Sequence, residues 1–312
     1  LKPLNAEELR GNWATLLLPI MADQSIDYGL LESEVNLFGA AKVSGAYSNG
    51  TAGEFYAQTE DEFDRINTTL AENCERMRVP FQVGVSHPSP QLSLDRLRRA
   101  RNLKPSGVQL ILPDWYPPTM DDVHRFLDAM ASAADPIPLI VYNPPHAKRR
   151  LDPSEWVEVM DRHPQVVGIK VPDGDSGWYE AMKPVLDRIS VFVPGHHLAT
   201  GLSHGARGAY SNVACLSPRG AQRWYGLCLR DPAEGLKLEE KIQRFIAEQV
   251  MPLITTRHLP NMAADKALAV GGGWLPGLTT RLRWPYEGAT EAEAARIGAA
   301  ARVSIPELFS EG

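Results

Sequence analysis

Few cysteines, no long apolar run and no basic run are the first features of this chain. Its three cysteines, Cys74, Cys215 and Cys228, are odd in number and widely spaced, which speaks against a disulfide framework or a Cys-x-x-Cys metal site and fits a reducing, cytoplasmic setting. No stretch of about twenty apolar residues occurs, so no membrane-spanning helix is expected. Leu1 to Glu8 carry no basic segment followed by an apolar one, and no export signal is expected there. With 32 Lys and Arg against 38 Asp and Glu, the net charge is -6, and no aromatic-basic stripe interrupts it, which excludes nucleic acid and anionic membrane as partners. A Gly-x-Gly-x-x-Gly turn is also missing. Met21-Ala22-Asp23-Gln24 stands where a doubly wound dinucleotide-binding sheet would need it. Without His-x-His or His-carboxylate spacing, no metal site is expected either.

What is present is a core. Of 312 residues, 44% are hydrophobic and 22% charged, ordinary for a globular protein and enough to bury a large interior. Trp13 to Ile20 is a near-continuous apolar run, the pattern of a strand buried on both faces. Tyr28 to Lys42 then has helical periodicity, and Val43 to Asn49 reads as a second strand. The beat recurs about every thirty residues. Strands are expected at Phe81–Ser86, Gly107–Leu112, Ile137–Tyr142, Val166–Lys170, Val191–Val193 and Gly208–Ser211. Helices are expected at 59–77, 92–103, 119–134, from Asp152, 178–188 and 198–204. Two start signals are strong: Thr59 with Glu62 forms a capping box, and Asp152-Pro153-Ser154-Glu155 combines a cap, a first-turn proline and a third-position glutamate. Eight strands alternating with helices predict a closed (β/α)8 barrel over residues 1–216, with its chemistry at the strand C-termini. Beyond Ser217-Pro218 the pattern turns helical, at 219–229, 233–249, 253–270 and after the box Thr290 to Glu293. Residues 217–312 are therefore expected to form a helical extension packed on the barrel.

Val166-Val167-Gly168-Ile169-Lys170 is the informative strand. Alternation predicts Val166, Gly168 and Lys170 on one face and Val167 with Ile169 on the other, so the lysine ends a buried strand where Val171-Pro172-Asp173-Gly174 opens a loop. A lysine in water has a pKa of about 10.4; among apolar groups its lone pair is freed, and the amine becomes a nucleophile. A barrel gathers further residues at the same end: Thr51 and Glu54, Trp115 and Tyr116, Tyr142, Gly195 and His196, Ser211 and Asn212. Imine formation between a lysine and a ketone needs a free amine and a relay that removes water. Tyr142 is suited to that relay. Thr51 and the amides beside Ala52 and Gly53 are suited to a carboxylate, because glycine lets the main chain approach. Glu54 is read as a brace for its loop.

Gly50-Thr51-Ala52-Gly53-Glu54, Tyr142-Asn143-Pro144-Pro145 and Gly168-Ile169-Lys170, in this order and at this spacing, resemble the dihydrodipicolinate synthase/N-acetylneuraminate lyase family. The resemblance runs over nearly the whole chain. It implies a class I, pyruvate-type aldolase on a (β/α)8 barrel, a tetramer built as a dimer of dimers, and no cofactor beyond the imine on Lys170. By position, Lys170 matches the imine-forming lysine, Tyr142 the proton-shuttling tyrosine and Thr51 the first carboxylate-binding residue. Ala52 replaces a second hydroxyl residue, leaving its amide. Gly195 and Tyr210 fall where relatives offer backbone carbonyls to a second substrate.

Departures narrow the substrate. Ala147 stands five residues after Tyr142, where dihydrodipicolinate synthases carry an arginine, and Trp115 replaces a tyrosine that completes their relay across a subunit contact. Tryptophan cannot pass a proton as a phenol does. Val171 replaces a common acid after the lysine. The sequence reading is therefore a lyase, aldolase or dehydratase, acting on pyruvate or a 2-oxo-3-deoxy sugar acid. Dihydrodipicolinate synthase itself is a second reading, and a metal-dependent hydrolase using His196 and His197, or a non-catalytic relative, a third. His146 is expected near the distal half of the substrate, and Trp115 with Tyr116 either in the site or at a subunit contact.

Overall fold

The computed structural model describes residues 1–310. Eight parallel strands pair in chain order: β1 (Gly11–Thr15), β2 (Gly45–Tyr47), β3 (Phe81–Gly84), β4 (Gly107–Ile111), β5 (Leu139–Tyr142), β6 (Val166–Lys170), β7 (Ser190–Pro194) and β8 (Gly208–Tyr210). β1 also pairs with β8, Trp13 opposite Tyr210, and closes the barrel. Helices α1 (Tyr28–Ala41), α2 (Glu60–Met77), α3 (Pro90–Ala100), α4 (Met120–Ala134), α5 (Pro153–Arg162), α6 (Ser176–Leu186), α7 (Leu198–Ser203) and α8 (Asn212–Leu216) follow the strands in turn. The fold is the expected (β/α)8 barrel. After it come α9 (Pro218–Arg230), α10 (Pro232–Phe245), α11 (Met251–Thr255), α12 (Asn261–Gly272) and α13 (Glu291–Ser304).

Local chemistry explains the helix starts. Thr59, Thr119, Asp152 and Thr290 each accept from the backbone three residues on, while Glu62, Asp122, Glu155 and Glu293 reach back, so α2, α4, α5 and α13 all begin with a reciprocal capping box. Pro153 fills the first turn of α5, where a missing N–H costs nothing.

Several expectations need correction. The first strand ends at Thr15, not Ile20: β2 offers partners only up to Tyr47, so Leu16 to Ile20 leave the ladder as a buried connection. There Leu16 N donates to Tyr47 O at 2.8 Å and Leu17 N to the Glu34 carboxylate at 2.8 Å. The alternation of β6 is broken by a register shift against β5, where Leu139 pairs with Val166 but Ile140 with Gly168. Val167 is the extra residue and packs against the barrel interior, while Val166 joins Ile169 in the outer core. Finally, the helix expected over 253–270 is two, α11 and α12. Between them His258 has φ 55° and Pro260 precedes α12; a left-handed residue and a proline cannot continue a helix. The run 233–249 becomes α10 followed by a π-helical turn, Ile246–Val250, and α8 was not anticipated.

Two apolar layers result. One lies between strands and helices; the other fills the barrel with Leu9, Trp13, Tyr47, Ile140, Phe192 and Tyr210. Leu9 comes from the N-terminal segment, held by the Ser190 hydroxyl donating to Leu9 O at 2.5 Å and Ala6 O at 2.6 Å. Gly168 makes room for it, since a Cβ there would stand 2.8 Å from Leu9 Cδ2 and 3.2 Å from Ser190 O.

The C-terminal helices are tied to the barrel mouth by buried charge. Glu54, in the left-handed region at φ 52°, accepts from Lys266 Nζ of α12 at 2.8 Å and from Arg283 N at 2.8 Å. Lys266 also donates to Arg281 O at 2.7 Å, and both side chains of the pair are 0% exposed. The brace reading of Glu54 agrees with this geometry. Removing one partner of a buried pair strands the other charge, so Lys266→Ala is expected to cost about 3–5 kcal/mol in urea unfolding, and Glu54→Gln with Lys266→Met to recover most of it. A loss under about 1 kcal/mol for the single variant would refute the brace.

Candidate active site

Lys170 and Tyr142 are ladder partners at the ends of β6 and β5. Equal height and a shared face bring the amine over the phenol ring, 4.1 Å from its centroid. Tyr210 of β8 and Tyr47 of β2 complete a cage, their centroids 5.1 and 5.2 Å from Nζ. Ring faces attract a cation, but three rings also strip its water. Burial lowers the Lys170 pKa from 10.5 to about 8, opposed by the negative charge of Asp265. A lysine at about 8 has roughly 300 times more free amine at pH 7 than one at 10.5.

Two of the phenols differ in what their hydroxyls do. Tyr210 Oη donates to Gln82 Oε1 at 2.6 Å, pointing down the barrel. Tyr142 Oη lies 3.5 Å from Thr51 Oγ1 and faces the mouth. Burial raises the Tyr142 pKa, the Thr51 hydrogen bond opposing it, so the phenol keeps its proton at neutral pH. Tyr142 is thus the one of these two placed to exchange a proton with a group bound above Lys170.

Thr51 sits on a turn whose position is over-determined. Asn49, at φ 54°, donates through Nδ2 to Gly84 O at 3.1 Å; Gln58 Nε2 donates to Gly53 O at 2.8 Å and Asn49 Oδ1 at 3.1 Å. Gly50 lies on the Tyr47 ring, where a Cβ would come within 2.8 Å, and a Cβ on Gly53 would meet Asn49 N at 2.9 Å. The turn brings Thr51 to the Tyr142 hydroxyl and leaves Ala52 and Gly53 buried.

Above Tyr142 opens a cavity of about 210 Å³ whose walls include Thr51, Tyr142, His146, Ala147, Trp115 and Lys148. His146 and Trp115 therefore reach the same space as Thr51. Trp115 is 83% and Tyr116 82% exposed, so in one chain neither ring is covered. Lys148 is engaged by Trp115: its Nζ donates to Trp115 O at 2.5 Å and lies 5.0 Å from that ring.

The strand-seven loop forms the opposite wall. A Cβ on Gly195 would stand 2.7 Å from both Asn212 Oδ1 and Ser211 Oγ, so glycine permits the contact between loops seven and eight. His196 Nδ1 lies 3.0 Å from Asn212 Nδ2 and 3.3 Å from its Oδ1, and burial lowers its pKa to about 4, so the ring is neutral. His197 Nδ1 lies 3.0 Å from the Asp173 carboxylate, which outweighs burial and raises its pKa. The two rings stand 4.3 Å apart at 62°, each turned to a different partner. Among the described residues, no three His, Cys, Asp or Glu side chains are grouped to hold a metal ion, and no helix is long and apolar enough to cross a membrane.

Two participants escaped the sequence reading. Tyr47 was detectable as the inward residue of Gly45-Ala46-Tyr47. Asp265 lies 95 positions beyond Lys170 in a helix that is apolar apart from Asp265-Lys266; a charged pair in such a helix was its only signal.

Comparison with known proteins gives a consistent answer. A family model described as Dihydrodipicolinate synthetase family matches residues 8–268. The 4-hydroxy-tetrahydrodipicolinate synthase of Thermomicrobium roseum is 30% identical over 67% of this chain and 69% of its own length. The N-acetylneuraminate lyase of Rhizobium meliloti is 27% identical over 93% of both. In three dimensions, YagE, a prophage protein of the dihydrodipicolinic acid synthase family from E. coli solved with pyruvate, superposes with a TM-score of 0.84 at 19% identity, covering 95% of this chain and 98% of that one. A Ruminococcus gnavus sialic acid aldolase with its catalytic lysine mutated gives 0.82 at 19% identity, covering 98% of each. The chain belongs to the dihydrodipicolinate synthetase family, an enzyme of the lyase class.

Proposed function

We propose that this chain is an imine-forming lyase for a 2-oxo acid, cleaving or condensing next to the carbonyl or dehydrating a 2-oxo-3-deoxy sugar acid. The observation that carries the reading is the Lys170 amine, caged by three rings with a pKa of about 8 and set against a protonated phenol. The free amine attacks C2, and the carbonyl oxygen takes a proton. A second proton, passed by Tyr142, lets that oxygen leave as water, so a C–N bond replaces C–O. The resulting iminium accepts the electron pair of the breaking C3–C4 bond, the C4 hydroxyl losing its proton as an aldehyde forms. In dehydration the pair comes instead from C3–H, and a hydroxyl departs from C4 as water. After cleavage the enamine takes a proton at C3, and water then releases the 2-oxo acid and returns the amine. Thr51 and the Ala52 amide hold the substrate carboxylate, with Gly50 and Gly53 shaping the turn. No metal or organic cofactor enters this scheme.

Within the family, Ala147 and Trp115 support a substrate without a second carboxylate. The cavity wall offers a methyl at 147, and the neighbouring cation, Lys148, is engaged by Trp115. Gly195, Tyr210, His146 and the neutral His196 ring suit a chain of hydroxyls. The exposed Trp115 and Tyr116 support self-association, with a homotetramer the family-based expectation, and residues 217–312 are proposed as an extension of the barrel unit.

Incubation with pyruvate and borohydride is expected to add one reduced adduct at Lys170, read by intact mass and peptide mapping and absent in Lys170→Ala; no adduct with any 2-oxo acid would overturn the imine reading. Its rate should rise about tenfold per pH unit up to about 8 and then level off, because only the unprotonated amine reacts. A rate flat from pH 6 to 9 contradicts this. The same amine strains the fold. Its folded pKa is below the unfolded 10.5, so the penalty is complete below about 8 and vanishes as pH rises to the unfolded value. Lys170→Met is expected to raise unfolding stability by about 2 kcal/mol at pH 7, with the advantage fading above pH 10.

A further inference from the structure

Away from the site, a line of four titratable side chains joins α4 to α5. His124 on α4 and His163, which caps the C-terminus of α5, are both buried. His124 Nδ1 lies 2.9 Å from His163 Nε2, and the ring centroids stand 5.2 Å apart at 27°, so the rings meet nitrogen to nitrogen and nearly in one plane. Each outer nitrogen faces an acid of the opposite helix. His124 Nε2 is 2.8 Å from Glu158 Oε1 on α5, and His163 Nδ1 is 3.4 Å from Asp128 Oδ1 on α4. Both acids are more than half exposed, and Arg162 of α5 donates to the other Asp128 oxygen at 3.0 Å. Other charges near the seam are turned elsewhere: Arg125 to Asp122, Asp161 to Arg188, Arg99 of α3 to Glu60, and Lys183 of α6 to Asp187.

Counting hydrogens shows what such a line can hold. Two neutral rings supply two N–H groups for three contacts, and whichever way the tautomers run, one end sets a bare nitrogen against a carboxylate. Two extra protons point N–H at N–H in the centre and break the contact there. One extra proton supplies three N–H groups, one for each contact. We propose that His124 and His163 share a single proton between Glu158 and Asp128, and that this proton latches α4 to α5. Each contact in the line crosses from one helix to the other, so gain or loss of a proton weakens the seam and not either helix. The acids favour the first proton, while the second meets a positive charge on the neighbouring ring. Burial pushes the His163 pKa down, with Asp128 opposing it, which leaves the charge on His124, beside the closer acid. The latched helices support two walls of the cavity. α4 follows the loop carrying Trp115, α5 follows the loop carrying His146 and Lys148, and those loops are joined by Lys148 N donating to Asp114 Oδ1 at 2.8 Å. The seam is thus set near neutral pH and released in acid, whatever chemistry Lys170 performs.

Hydrogen–deuterium exchange at histidine C2, read by peptide mass spectrometry on the full chain across the acid and neutral range, gives a midpoint for each ring and needs no substrate. Two unlinked histidines titrate together near 6.5. A shared proton is expected to split them, one midpoint about one unit above that value and the other about one unit below, roughly a hundredfold between the two proton affinities. Asp128→Asn offers an amide N–H to the bare Nδ1 of a neutral His163, and Glu158→Gln offers one to His124 Nε2 with the tautomers reversed. Either variant satisfies all three contacts without the extra proton, so each is expected to lower the upper midpoint by about one unit, a tenfold loss. Both positions are on the surface, and one folded variant suffices. Coincident wild-type midpoints near 6.5, or an upper midpoint unmoved in the folded variant, overturn the shared proton. Backbone amide exchange in the last turn of α5, corrected for its intrinsic rate, is expected to accelerate below the lower midpoint as the seam opens; no acceleration overturns the latch.

Discussion

Withdrawal of one amine from water is the constraint on which the arrangement of this barrel turns. A lysine at a strand end is ordinarily solvated, its stem packed and its charge in water. Here β5 and β6 are in register at Tyr142 and Lys170, and closure of β1 on β8 brings Tyr210 round to the same space. Neither an open sheet nor a slipped register would bring rings from three strands around Nζ. Closure therefore generates the chemistry: it sets the desolvation that frees the lone pair, and it bears the cost of holding an ionisable group there.

That cost explains how rigidly the mouth is built. The turn carrying Thr51 is fixed from below by Asn49 and Gln58, and from the side by Glu54. Glu54 and Lys266 form a buried pair that contributes little net stability for its desolvation, yet it determines where α12 lies. Two left-handed residues, Asn49 and Glu54, bracket the turn. Side chains other than glycine adopt that conformation only where the surroundings over-determine it, and here each is held by hydrogen bonds through its own side chain. The turn carrying Thr51 and the helical extension are consequently parts of one framework.

Much of this was legible before any coordinates. Thr59 with Glu62 and Asp152 with Glu155 fixed two helix starts because a cap is a local device, complete within four residues. Lys170, Tyr142 and Thr51 were legible because each ends or follows a strand, and a barrel gathers strand ends. What the chain order concealed has a common physical cause: pairing is decided by the neighbour. Val167 is an ordinary valine in its strand, and only the step in β5 register turns it inward. Leu16 to Ile20 read as strand because they are apolar, yet apolar residues are equally content in a buried connection once the ladder has run out.

Asp265 is the extreme case, since it lies 95 residues from Lys170 on an element that local periodicity treats as an appendage. The break at His258 and Pro260 matters here. A single helix over 253–270 would have a fixed axis and would carry its charges wherever α10 and α11 pointed. Splitting the run frees α12 to take its direction from Glu54, at one residue's remove from Asp265. Successive helical side chains point about 100° apart, so a helix whose Lys266 is turned to the Thr51 loop has Asp265 turned about a quarter of the way round. A charged side chain in an otherwise apolar helix thus sets that helix against the barrel, at the turn that carries Thr51.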